Sequence, residues 1–210
     1  MNQLTLRTYI LGDLETNVYL LVSGNEALLI DTPGGAEVIV DDLERDKLTL
    51  KGVVLTHAHF DHIIGMDALL ARLPYLPEIY LNPIDQTLWD EHGLAPAFGL
   101  ALRIEARISY TLHDGEVLTF DGHALKVLHT PGHTPGHISL YAPEIKSVFC
   151  GDTLFYRGIG RSDLPYGNEE DLFRSIREKL FALPDDTIVY SGHGPATTIG
   201  EEKKFNPFMS

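Results

Sequence analysis

The stretch His57-Ala58-His59-Phe60-Asp61-His62 places three imidazoles and a carboxylate within six residues. Neutral imidazole nitrogen and carboxylate oxygen are ligands for zinc, iron or manganese. A single histidine on a polar loop would imply no ion, but this density implies a metal centre, and one of more than one ion. Just upstream, Lys51-Gly-Val-Val-Leu-Thr56 is a short apolar run of strand character. A strand ending in alternating histidines delivers His57 and His59 to one side of the backbone, because the side-chain period there is two. Asp61 and His62 open the next element, where a turn can aim them at a neighbouring point.

Three more positions carry the same chemistry, each just after an apolar strand. His133 lies in the Pro/Gly turn of Leu125-Lys-Val-Leu-His-Thr-Pro-Gly-His133, Asp152 follows Val-Phe-Cys-Gly, and His193 follows Ile-Val-Tyr-Ser-Gly. Glycine beside a ligand allows the sharp turn and close approach that a coordination shell requires. With these residues in that order, and with the strings Thr-Pro-Gly-His-Thr-Pro-Gly-His, Gly-Asp-Thr-Leu-Phe and Gly-Arg-Ser-Asp-Leu-Pro-Tyr-Gly, the chain resembles the metallo-β-lactamase superfamily. More narrowly, it resembles small bacterial proteins related to glyoxalase II, the hydroxyacylglutathione hydrolases.

The resemblance implies two divalent ions, zinc first, with iron or manganese as alternatives. His57, His59 and His133 would hold one ion, Asp61, His62 and His193 the other, and Asp152 would bridge them. Asp31 resembles the family's carboxylate behind the ligands, which orients one of the histidines, and His137 is a candidate for a similar supporting role. The implied fold is α+β, a four-layer αββα sandwich with the site at one edge between two sheets. The implied domain is a single one over residues 1–210, without the helical C-terminal domain of larger glyoxalase II enzymes.

Two divalent ions about 3.5–4 Å apart generate hydroxide near neutrality and polarise a carbonyl, so hydrolysis needs no Ser or Cys nucleophile. Asp61 and Asp152 are then the candidate catalytic carboxylates, Asp61 orienting the hydroxide or accepting its proton. A thioester suits this equipment, because a thiolate leaves without a strong general acid. The leading expectation is a hydrolase of S-acyl-glutathione, such as S-lactoylglutathione, to acid and thiol. Arg161, Lys203 and Lys204 occupy positions that resemble basic contacts to glutathione. Two departures stand against that transfer: Gly-Pro follows His193 where the larger enzymes carry tyrosine, and the chain stops about where their helical domain begins. Alternatives are a persulfide dioxygenase with one iron, a hydrolase of another ester, lactone or phosphodiester, and a non-catalytic metal-binding protein.

Composition narrows the partners. A formal charge of −14 opposes nucleic-acid and anionic-membrane binding, and no apolar run approaches the ~18 residues of a membrane span. One cysteine, Cys150, asks for no oxidising compartment, and the N-terminus reads as a strand rather than a signal peptide. The expectation is a cytoplasmic monomer or small homo-oligomer acting on a small molecule. Cys150 reads as buried strand filling, and His92, His113, His123 and His129 as surface or hydrogen-bonded residues.

The elements that must position these residues follow from apolar patterning. Leu4–Leu11, Asn17–Val22, Ala27–Ile30, Gly52–Leu55 and Glu78–Leu81 read as strands. In the second half, Val117–Phe120, Ala124–His129, His137–Tyr141, Ser147–Cys150 and Thr187–Tyr190 do so too. Helices are expected from Ala36 to Asp46, from a cap at Asp61 to Arg72, after Asn82-Pro83, and from Glu169 to Phe181. Residues 93–108 read as a loop or broken helix over the site. The strand runs look antiparallel in both halves.

Overall fold

The computed structural model describes residues 2–209, so the outermost two residues of the expected 1–210 span lie outside the described residues. The chain divides into two compact units between Thr111 and Leu112. The first opens with β1 (Thr5–Leu11), β2 (Thr16–Ser23) and β3 (Glu26–Ile30), an antiparallel meander. β4 (Thr49–Val54), β5 (Glu78–Leu81) and β6 (Tyr110–Thr111) then add to β3 in parallel, giving the order β1-β2-β3-β4-β5-β6. In this unit the antiparallel expectation therefore holds only for the first three strands. The reason lies in the connections: β1–β3 are joined by tight turns, whereas helix-bearing crossovers return the chain in parallel.

Those crossovers are α1 (Ile39–Arg45), preceded by a 3-10 turn at Ala36–Val38; α2 (Phe60–Ile63) with α3 (Met66–Arg72); and α4 (Gln86–Asp90), preceded by a 3-10 turn at Pro83–Asp85. Asn82 caps that last turn, its side chain accepting from the Ile84 N–H. The long helix expected from Asp61 to Arg72 is two helices, and its cap residue is His59, not Asp61. The chain exiting β3 causes the break. Thr32 N–H donates to the His62 carbonyl at 2.7 Å and Gly65 N–H to the Thr32 carbonyl at 2.8 Å. A Cβ on Gly65 would stand 1.9 Å from the Pro33 oxygen, so only glycine admits this approach. Buried Leu20, Leu29, Val53, Ile39, Leu43, Met66 and Leu69 pack the core of this unit, each contributing about 1.5–3 kcal/mol of burial.

Residues 92–98 form a 3-10 segment kinked at Gly93 and Leu94, which is the broken helix expected there. No regular element follows until β6; the Asp67 carboxylate holds this stretch by accepting from the Glu105 and Ala106 N–H groups.

The second unit runs antiparallel through β7 (Val117–Phe120), β8 (His123–His129), β9 (Ile138–Ala142) and β10 (Ser147–Gly151). A small hairpin follows, β11 (Leu154–Phe155) with β12 (Gly158–Ile159), and then α5 (Glu169–Ser175). Asn168 caps α5 by accepting from the Asp171 N–H, and a π-helical turn, Ile176–Leu180, ends it. β13 (Ile188–Ser191) joins β10 in parallel, β14 (Thr197–Thr198) pairs with β13 in antiparallel, and α6 (Ile199–Phe205) closes the unit. Leu172, Ile176 and Leu180 bury one face of α5 and its π turn against Val148, Cys150 and Val189.

Candidate metal centre

In the first unit the candidate ligands leave the C-terminal ends of adjacent parallel strands, a favoured place for sites in such sheets. Asp31 follows β3, and Leu55–His59 follow β4; the Asp31 N–H donates to the Val54 carbonyl and ties the two exits together. Asp31 holds φ +65°, in the left-handed region that aspartate tolerates better than most residues. Its buried carboxylate organises the histidine stretch. Oδ1 accepts from the Thr56 N–H at 2.8 Å, and Oδ2 accepts from the Thr56 hydroxyl and from His62 Nδ1–H, each also at 2.8 Å.

That network fixes tautomers. Thr56 has one hydroxyl proton and gives it to Asp31, so its oxygen accepts from His57 Nδ1–H at 3.1 Å. With Nδ1 protonated on both His57 and His62, each ring keeps a lone pair on Nε2. The rings of His57 and His62 lie 4.2 Å apart, and those of His57 and His59 4.9 Å apart. His57, His59 and His62 are buried, and the Asp61 side chain is 14% exposed. A second buried carboxylate, that of Asp85 beyond β5, accepts from the Ala58 N–H between His57 and His59.

In the second unit β10 and β13 are parallel neighbours, so Asp152 and His193 leave the same end of the sheet. The Gly192 N–H donates to the Gly151 carbonyl at 2.8 Å, locking the two exits together. His133 sits after Gly132, whose φ of +134° and whose contact with α5, 2.2 Å from a Cβ position to the Leu172 nitrogen, exclude any side chain. His133 Nδ1–H donates to the Arg161 carbonyl at 2.8 Å, which again leaves the lone pair on Nε2. One oxygen, Asp152 Oδ2, lies 3.6 Å from His133 Nε2 and 3.5 Å from His193 Nε2. His137, fully buried, accepts from the Asp152 N–H at 3.1 Å through Nε2, while Nδ1 faces the hydroxyls of Thr130 and Thr153.

These donor sets fit divalent cations. His62 Nε2 and Asp61 Oδ2 stand 3.6 Å apart as lone pair against carboxylate, and His133 Nε2 and Asp152 Oδ2 do the same. Such pairs repel unless a proton or a cation lies between them. A mixed imidazole and carboxylate shell accepts zinc, iron or manganese.

Other residues named from sequence fall outside these sets. Cys150 is fully buried, and burial pushes its thiol up to about 12, so it is not poised as a thiolate. The Arg161 guanidinium makes a two-pronged ion pair with Asp163 at 2.8 Å, holding that exposed carboxyl at about 2. What Arg161 offers is its backbone carbonyl, to the candidate ligand His133. Lys203 pairs with Asp185 at 2.6 Å, and Lys204 is exposed on α6. His123 pairs with Glu144, and His129 Nε2 donates to the Pro135 carbonyl. Sequence reasoning missed Thr56 and Asp85; an Asp31-to-Thr56 pairing is long-range and carries no local signal.

Comparison with known proteins agrees with this chemistry. The family model for the metallo-beta-lactamase superfamily matches residues 11–193. The hydroxyacylglutathione hydrolase GloC of Haemophilus influenzae is 43% identical over 188 residues, 88% of this chain and 87% of that protein. Among solved structures, the BLEG-1 B3 metallo-beta-lactamase superposes with a TM-score of 0.91 at 37% identity, covering 98% of this chain and 100% of the other. TTHA1623, solved in a di-iron-bound form, superposes with a TM-score of 0.86 at 38% identity, covering 96% and 99%. This chain therefore belongs to the metallo-β-lactamase superfamily, as a metallo-hydrolase with the α+β fold of that family.

Proposed function

We propose that the protein is a metal-dependent thioester hydrolase of glyoxalase II type, cleaving an S-acyl-glutathione such as S-lactoylglutathione to acid and thiol. The observation that carries this reading is the Asp152 oxygen shared at 3.5–3.6 Å between two imidazole nitrogens, the arrangement a bridging carboxylate needs. His57, His59 and His133 would hold one ion, Asp61, His62 and His193 the second, and Asp152 both. The ligand positions come from both units, so the proposal requires residues 1–210 to work as one metallo-β-lactamase-like domain. The identity of GloC supports the thioester substrate, and the di-iron relative supports a pair of ions, with zinc proposed first and iron or manganese next.

Bound divalent metal would supply an acidified water and polarise the thioester carbonyl. The residues around it set direction. Asp31 and Thr56 hold His57 and His62 by Nδ1–H, so Nε2 is the nitrogen that would ligate, and Asp61 is proposed as the carboxylate that takes a proton. His137 holds the backbone of Asp152. Arg161, Lys203 and Lys204 remain the proposed glutathione contacts; a ligand carboxylate would have to displace Asp163 from Arg161 and Asp185 from Lys203.

Elemental analysis of purified protein, coupled to an assay on S-lactoylglutathione, tests the reading. About two metals per chain and release of glutathione are expected. A single iron with oxygen uptake on glutathione persulfide would replace the hydrolase by a dioxygenase.

A further inference from the structure

Beside Asp61 the first unit carries a cavity of about 490 Å³. Leu14, Pro33, Phe60, Ile64, Phe98 and Leu100 line it. Leu14 is 52% exposed, Phe98 50% and Leu100 41%, an unusual concentration of apolar surface around one depression. The Phe60 and Phe98 rings lie 5.2 Å apart and pack as a tilted pair. The charged residues of its lining are two acids, Asp13 and Asp61; no lysine or arginine is among the residues described there.

We propose that this cavity binds the acyl group of the thioester, and that the preferred acyl groups are apolar chains longer than lactoyl. The inference rests on the hydrolase reading above and names the substrate class of that site. Continuity sets the location, since Asp61 is both a wall of the cavity and a proposed metal ligand. Charge decides which half of the substrate enters. Glutathione carries two carboxylates and one ammonium group; a bound divalent ion would offset Asp61, but Asp13 remains and no lysine or arginine of the lining can pair with a carboxylate. An uncharged hydrocarbon chain meets no such penalty and covers Leu14, Ile64, Phe98 and Leu100 from water. A lactoyl group, short and hydroxylated, leaves that apolar surface wet.

The test is a chain-length series on metal-loaded protein: acetyl, lactoyl, butyryl, hexanoyl and octanoyl thioesters of glutathione. kcat/KM should rise about fourfold per methylene until the cavity is filled. Calorimetric binding of the free alkanoates, acetate to octanoate, should tighten in parallel. Leu100→Asp should cut the hexanoyl-to-acetyl ratio tenfold or more, and Phe98→Ala gives the same readout if the first variant folds poorly. A series that is flat, or highest for lactoyl, overturns the inference while leaving the hydrolase in place. Alkanoates that tighten with length, with no thioester cleaved, keep the apolar-chain site and remove the hydrolase reading instead. Self-association abolished by Leu100→Asp, with a flat alkanoate series, would assign this face to a second copy and overturn the inference.

Discussion

At the scale of single residues, the telling feature is that one carboxylate serves two histidines by different routes. Asp31 holds His62 directly and His57 through Thr56. The ordering therefore depends on acceptor count: Asp31 Oδ2 takes two protons and Oδ1 a third. Asp31→Asn keeps the left-handed backbone, which asparagine also tolerates, but turns one acceptor oxygen into an amide donor. Either Thr56 N–H or His62 Nδ1–H then faces N–H, and ring orientation is lost. The variant should fold, yet bind metal about 10–100-fold more weakly, the usual effect of removing a partner behind a ligand histidine. Competition titration against a chelator of known affinity measures this; unchanged affinity would show that the ligands are held in place without Asp31.

At the scale of elements, tertiary ties decide what local patterning leaves open. Tyr9 of β1 donates to an Asp42 oxygen of α1 at 2.6 Å. Burial first, and this bond next, push the Tyr9 hydroxyl up to about 12 from an ordinary 10.0. The bond to Tyr9, then Arg45, holds the Asp42 carboxyl below its ordinary range. Between pH 10 and about 12 the unfolded chain releases the Tyr9 proton while the native chain keeps it, so stability falls as pH rises through that window. Asp42 acts at the other end, its contribution present above the ordinary carboxylate range and lost as pH falls. Tyr9→Phe should cost about 1 kcal/mol near neutrality and flatten both limbs of a urea-midpoint profile against pH. Parallel profiles for the two proteins would refute the tie. The same distinction explains what was legible in the sequence. Strands with clean apolar runs, such as β5 and β7, are readable to the residue. The α2–α3 break is not, because the Thr32 carbonyl that takes the Gly65 N–H comes from another part of the chain. α6 is readable as well: Thr198-Ile-Gly-Glu201 has the spacing of a capping box, and Thr198 Oγ1 accepts from the Glu201 N–H. The candidate metal ligands are legible because their residue types are rare together; Arg161's use of its carbonyl is not, since any residue has one.

At the scale of the whole molecule, an acidic chain of net charge −14 sets unprotonated imidazole nitrogens of candidate ligands beside carboxylates. Such a chain gains stability from any cation that binds the native state and not the unfolded one. The gain is RT ln(1 + [L]/Kd), about 4 kcal/mol for one site at a thousandfold excess over Kd. For a chain of this length 1 kcal/mol moves the melting temperature by about 2–4 °C, so emptying one site should lower it by roughly 8–16 °C. Calorimetry before and after dialysis against a chelator, then after adding zinc back, checks the loss and its reversal. Asp152→Ala supplies the internal control. Lacking the carboxylate that faces both His133 and His193, it should melt low from the start and lose little more to the chelator. Equal chelator-induced losses in the two proteins would mean that the stabilising ion sits elsewhere, and would remove Asp152 as the proposed bridging ligand.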